Sequence, residues 1–181
     1  MENMNIKVIT PDKMQDFIGL YRVFEEPPYE ESYTEEFIIS EYNRLFNLGN
    51  VYGYYIDGKC VGMTAFYKSA NENGLVDPEH PIHYEHPEKV AYFSDVTVLK
   101  EYRGKGIGSK LMEFALKKSK EEGCTKMYMR TLQKGQSMSY SIAVKHGFKV
   151  LENVEQSVVQ ERVSVDRAIE DCRIFLEKNL E

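Results

Sequence analysis

Arg103-Gly104-Lys105-Gly106-Ile107-Gly108 is the stretch that decides how this chain is read. It follows a strand-like run, Val90 to Leu99, and precedes a helix-like run, Ser109 to Glu122. Glycines in such a loop leave the backbone N–H groups uncovered and permit positive φ. The helix that follows adds unpaired N–H groups and partial positive charge at its N-terminus. Strand, glycine loop and helix start together predict a cradle for an anion, phosphate or pyrophosphate above all.

Spacing separates the possible cradles. A Walker A loop requires Gly, four residues, then Gly-Lys-Ser/Thr. Here only three residues separate Gly104 from Gly108, and Ser109 precedes Lys110. A dinucleotide fingerprint requires a third glycine where Ser109 stands, and an acid about 20 residues further on. The corresponding segment, Cys124-Thr125-Lys126-Met127-Tyr128-Met129, carries no acid. A third pattern, Arg/Gln-x-x-Gly-x-Gly/Ala, is met by Arg103, Gly106 and Gly108. Val96-x-Val98 stands before it, Tyr102 just ahead of the arginine, and Lys145-His146-Gly147-Phe148 downstream. On these residues the chain resembles the GCN5-related N-acetyltransferases, the GNAT family.

Length and composition set the frame. The 181 residues predict one domain over 1–181, long enough to bury a core. Apolar residues make up 42% and charged residues 29%, as in ordinary globular chains. No apolar run approaches the roughly 20 residues of a membrane span, and Met1 to Thr10 is polar. Three cysteines (Cys60, Cys124, Cys172), each read inside a strand-like run, suit reduced thiols. These features together set the expectation of a cytoplasmic protein without a membrane partner.

The net charge of −6 argues against a nucleic-acid partner. Charge is nonetheless uneven. Lys100 to Lys120 holds seven basic residues against Glu101 and Glu113, which suits a neighbouring polyphosphate. Met1 to Asn50 holds ten acids against Lys7, Lys13, Arg22 and Arg44. The acidic excess reads either as solvated helix faces or as a wall that attracts a cationic amine.

Hydrophobic periodicity gives the element order. Asn5 to Thr10 alternates as a strand. Pro11 to Phe24 carries Met14, Phe17, Ile18 and Tyr21 at helical spacing, with Thr10 as cap. Glu25 to Glu31, with Pro27 and Pro28, ends it. Thr34 caps a second helix that runs to about Gly49. Asp57-Gly58 predicts a hairpin turn between the strands Val51–Ile56 and Lys59–Lys68. A polar loop, Ser69 to Glu88, leads to the strand before the glycine loop. A strand over Thr125 to Leu132, a short helix over Gln136 to His146 and late strands over Phe148–Leu151, Gln156–Val163 and Cys172–Glu177 complete the chain.

The order β-α-α-β-β-β-α-β-α-β-β is similar to a whole GNAT domain. The resemblance implies a mixed α/β fold whose mostly antiparallel central sheet is splayed between strands 4 and 5, with flanking helices. It implies acetyl-CoA as co-substrate, no metal, and direct attack by an amine in a ternary complex. By the same resemblance, the backbones of Val96 and Val98 would pair with pantetheine. Arg103, Gly104, Lys105, Gly106, Ile107 and Gly108 would hold the pyrophosphate, Ser109 would add a hydroxyl, and the Gln136 amide would contact the cofactor. A homodimer is a further implied possibility.

Two side chains are candidates for proton transfer. Asp95 interrupts the apolar run Val90 to Val98, and a carboxylate in a strand centre is normally paired or used. It reads as the general base or as a structural acid bonded to a neighbour. The tyrosine that protonates the leaving thiolate in many GNAT enzymes would stand four residues before Gly147, where this chain has Ala143. Tyr140, one helical turn earlier, is the alternative acid or a packing residue. His80-x-x-His83-x-x-His86 matches no zinc spacing, and Pro78, Pro81 and Pro87 predict an extended loop bordering the acceptor site. The expected activity is N-acetylation of a primary amine on a small molecule. Acetylation of a peptide N-terminus or lysine, or a CoA-binding sensor without turnover, are the alternatives.

Overall fold

A computed structural model describes residues 5–27, 32–69, 84–132, 137–152, 157–159 and 170–181. The strands are β1 (Ile6–Val8), β2 (Gly49–Ile56), β3 (Lys59–Lys68), β4 (Val90–Val98), β5 (Lys126–Leu132), β6 (Lys149–Val150), β7 (Ser157–Val159) and β8 (Glu170–Asn179). The helices are α1 (Met14–Tyr21), α2 (Glu35–Leu48), α3 (Ile107–Glu121) and α4 (Met138–Lys145). The sheet order is β1-β2-β3-β4-β5-β8-β6, with β7 also on β8, and among the described residues only β4 and β5 run parallel. The expected mixed, mostly antiparallel sheet with flanking helices is what the chain forms.

Local chemistry accounts for several element ends. The Thr34 side chain accepts from the Phe37 N–H at 3.2 Å, and Glu35 and Glu36 sit in the first turn of α2. Both features favour a helix start. Asp57 (φ 49°) and Gly58 (φ 81°) form the turn that joins β2 to β3, the two-residue left-handed turn that matches strand twist. The predicted first helix is instead a composite. Pro11–Lys13 and Arg22–Glu25 are 3₁₀ turns on either side of α1. Cys124 lies ahead of β5 rather than in a strand, and it and Cys60 are buried free thiols. Burial pushes the Cys60 thiol up to about 11, so it is inert packing at neutral pH.

The sheet separates two cores. α1 and α2 cover one face with Phe17, Ile18, Leu20, Ile38, Tyr42 and Leu45, packed on Tyr67, Tyr92 and Tyr128. α3 and α4 cover the other, where Met112, Ala115 and Ala143 join Phe93, Met127 and Met129. Strand alternation therefore sends Tyr128 to one core and its neighbours Met127 and Met129 to the other.

Two irregularities in β4 place the site. Ala65 pairs with Asp95 but Phe66 pairs with Phe93, so Ser94 is an extra, bulged residue. The parallel ladder to β5 runs from Val90–Lys126 to Phe93–Met129 and ends there. Beyond it, β5 stays paired to β8 through Leu132 while β4 stays paired to β3 through Val98. The two strands part at the bulge, and among the described residues no strand pairs with the other edge of β4 from residue 94 onward.

Candidate active site

The open edge of β4 presents particular backbone groups. The Leu99 N–H donates to the Val61 carbonyl on β3 at 2.9 Å. Backbone groups alternate in direction along a strand, so those of Val98 and Val96 turn to the open side. The Val98 carbonyl is already used there, accepting from Arg103 Nε at 3.0 Å. The Val96 and Val98 side chains pack toward α3, so core packing and an exposed backbone coexist at these two residues.

The loop continues from this edge. Gly104 and Gly106 both have φ of 76°, in the left-handed region that side chains other than glycine's resist. Gly106 is the residue before α3, and its carbonyl accepts the first helical bond, from the Lys110 N–H at 3.0 Å. Among the described residues, the N–H groups of Gly104 through Ser109 find no backbone acceptor. They are the unspent donors of a helix start. A Cβ placed at Gly104 or Gly106 would meet nothing within 4 Å, so open space lies over them. At Gly108 a Cβ would stand 3.0 Å from Ile142 Cδ1, which is how closely α4 approaches α3.

A cleft of about 580 Å³ occupies that space. Val96, Thr97 and Val98 line it from β4, and Arg103, Gly104, Gly106, Ile107, Gly108 and Ser109 from the loop and α3. The sequence reading thus named most of one wall. Of the opposite walls it marks only Pro27, in the Pro27-Pro28-Tyr29 break between the first two helices that reads as a rim of the acceptor site. Ser137, Met138, Ser139, Ser141, Ile142 and Lys145 enter from α4, and Val23, Phe24 and Pro27 from the turn after α1. Lys145 had a local signal in Lys145-His146-Gly147-Phe148. Val23 and Phe24 had none, because helical spacing assigns them to the first helix.

Several candidates sit differently from the simplest expectation. The Arg103 guanidinium spans from the Val98 carbonyl to Glu26, at 3.2 Å, and so ties the loop to the turn after α1. Lys105 does not line the cleft, and its ammonium lies 4.9 Å from the centre of the Tyr102 ring. Asp95 directly precedes the lining residue Val96, and its carboxylate accepts from Ser94 Oγ at 2.6 Å. Tyr140 is half-buried outside the cleft lining, in the apolar cluster that holds Phe93, Val96, Met129 and Ala143. Asp95 therefore lies two residues beyond the last β4–β5 pair, Phe93–Met129. Gln136 lies outside the described residues, as do His80 and His83. His86 is exposed, with Nδ1 3.4 Å from Glu88. Among the described residues no group of three or more His, Cys, Asp or Glu could hold a metal.

One contact joins the two cleft helices. Ser109 Oγ lies 2.6 Å from Nε2 of His146, the residue that ends α4. Burial holds the imidazole below its ordinary range; Lys145 and Lys178 act the same way and Glu113 opposes them.

A family model described as Acetyltransferase (GNAT) family matches residues 14–148. The chain belongs to the GNAT acetyltransferase family. The match spans the glycine loop, the open edge of β4 and all of α4. Solved structures share the fold. A ribosomal-protein-alanine N-acetyltransferase from Brucella melitensis is 17% identical, with TM-score 0.70 and coverage of 97% of this chain and 99% of that one. The structure of yncA from Salmonella typhimurium with its cofactor acetyl-CoA is 16% identical, with TM-score 0.69 and coverage of 99% and 95%. An N-acetyltransferase from Staphylococcus aureus Mu50 is 15% identical, with TM-score 0.69 and coverage of 97% and 98%. A search of curated proteins finds no match. No helix among the described residues is long and apolar enough to cross a membrane.

Proposed function

We propose that this GNAT acetyltransferase moves the acetyl group of acetyl-CoA to a primary amine of a small molecule, by direct attack in a ternary complex. The observation that carries the reading is the end of the β4–β5 ladder at Phe93–Met129, beside a loop of unspent amides. Pantetheine lies along the open edge of β4 and pairs with backbone groups of Val96 and Val98. The amides of Gly104 to Ser109 take the pyrophosphate, as donors at a helix start suit. The bound acetyl-CoA of the yncA structure supports this choice of co-substrate on the same fold.

The chemistry follows from three requirements. The amine must be neutral to attack, the carbonyl oxygen must be stabilised as it becomes an oxyanion, and the leaving sulfur must gain a proton. Asp95 takes the amine proton, directly or through water, with Ser94 Oγ–H holding one carboxylate oxygen in place. A backbone N–H on the open edge of β4 donates to the developing oxyanion. The new C–N bond forms, the C–S bond breaks, and Tyr140 protonates the thiolate.

Thiol release from acetyl-CoA, measured over polyamines, aminoglycosides, amino acids and short peptides, tests the proposal. The expected result is amine-dependent release with one class of small amine. Release only with peptides would move the acceptor to a protein N-terminus or lysine. Tight CoA binding without release on any amine would make the chain a binding module.

A further inference from the structure

The Ser109–His146 contact carries more than the joining of two helices. Ser109 lines the cleft from the third residue of α3, whereas His146 stands behind it at the end of α4. At 2.6 Å the pair shares one proton in one of two ways. If the Ser109 hydroxyl donates to a bare Nε2, the serine offers the cleft only lone pairs. If Nε2–H donates to Oγ, the hydroxyl proton is free to point into the cleft. Phosphate oxygens are acceptors and reject the first arrangement. The imidazolium, with a proton on both nitrogens, enforces the second.

We propose that His146 is the positioning residue for the Ser109 hydroxyl, fixing it as a donor to a phosphate of acetyl-CoA, and that cofactor binding draws a proton onto the imidazole. This rests on the acetyl-CoA reading given above. The charged groups around the ring are set for such a response. Burial disfavours the charged ring in the free protein, as do Lys145 on α4 and Lys178 on β8, against Glu113 on α3. A bound polyanion reverses that balance, because a nearby negative charge favours the protonated ring. The sign follows from linkage. The ring titrates at higher pH in the complex than in the free protein, so the complex holds more protons. Affinity then rises as pH falls from the bound-state value toward the free-state value, by at most about one decade per pH unit for one proton.

Calorimetric titration of CoA tests this at pH 6, 7 and 8, in two buffers of different ionisation heat, for wild type, His146→Gln and Ser109→Ala. The Gln amide still donates to Ser109 but does not titrate. CoA's own phosphate protons contribute equally to every variant, so the difference between proteins isolates His146. Wild type takes up more protons than His146→Gln, and its Kd tightens more steeply toward pH 6. Ser109→Ala weakens binding roughly tenfold, the worth of one hydrogen bond to a charged group. Equal proton uptake and parallel pH profiles in wild type and His146→Gln would overturn the proposal. Should His146→Gln not fold, NMR titration of the four histidine rings of the wild type reads the same quantity. A ring whose titration moves to higher pH with CoA supports the proposal, and rings indifferent to CoA overturn it. Absence of CoA binding would remove the acetyl-CoA reading itself, whereas binding without proton linkage removes only the role of His146.

Discussion

Gly106→Ala separates the folding role of the loop from its binding role. Gly106 has φ of 76° and ψ of 5°, and no atom lies within 4 Å of where a Cβ would stand. The folding penalty is therefore torsional, not steric. Forcing an L-residue into the left-handed region costs roughly 1–2 kcal/mol. Alanine recovers about 0.4–1 kcal/mol of this by restricting the unfolded chain. The net loss of about 1 kcal/mol lowers Tm by about 2–4 °C for a chain of this size. Binding loses more. A methyl group over the uncovered amides keeps the pyrophosphate from at least one of them, and a hydrogen bond to a charged group contributes about 1.5–3 kcal/mol. Kd for acetyl-CoA then rises at least about tenfold. Asparagine tolerates the left-handed region, so Gly106→Asn recovers most of the Tm while its side chain still fills the approach. Differential scanning calorimetry and isothermal titration on both variants give the two numbers. Lowered Tm with wild-type Kd in both would make the glycine a turn residue only and refute the close-approach argument.

Three further outcomes follow from the same geometry. Asp95→Asn slows the reaction most near neutral pH, with a defect that shrinks as pH rises and the free amine is already neutral; a stable variant whose defect is independent of pH would rule out the base role. Tyr140→Phe lowers kcat by about 10²–10⁴-fold with little change in KM for acetyl-CoA, and an unchanged kcat would leave Tyr140 as a packing residue beside Ala143. Gly108→Ala places a Cβ 3.0 Å from Ile142 Cδ1, a contact that offsets the roughly 1 kcal/mol that alanine gains over glycine in a helix; adding Ile142→Val removes that one atom and raises Tm above that of Gly108→Ala alone, and equal melts would show that the contact costs nothing.

How much the sequence disclosed depended on whether the cause was local. Asp57-Gly58 specified its turn by its own conformational preferences, Thr34 its helix start by a bond three residues away, and the glycine loop its shape by two residues at positive φ. The bulge at Ser94 was not legible, because Val90 to Val98 reads as one unbroken strand and only pairing with β3 reveals the extra residue. The first helix divides into 3₁₀ turns on either side of α1, and helical spacing alone does not distinguish the two. The walls from Val23, Phe24 and α4 come from segments distant in the chain, and the Ser109–His146 contact spans 37 residues. The late strands were placed in order but not in length: β6 is two residues long, whereas β8 extends to Asn179. Strand ends set by a partner leave little trace in local pattern.

Hydrogen exchange with and without acetyl-CoA tests the central claim most directly, since the claim concerns named backbone amides. The account predicts slowed exchange at Gly104 through Ser109 and at Val96 and Val98, with β1, β2 and α2 unchanged. Bound acetyl-CoA that leaves the amides of residues 104–109 exchanging at their free rate, with protection elsewhere, would contradict it.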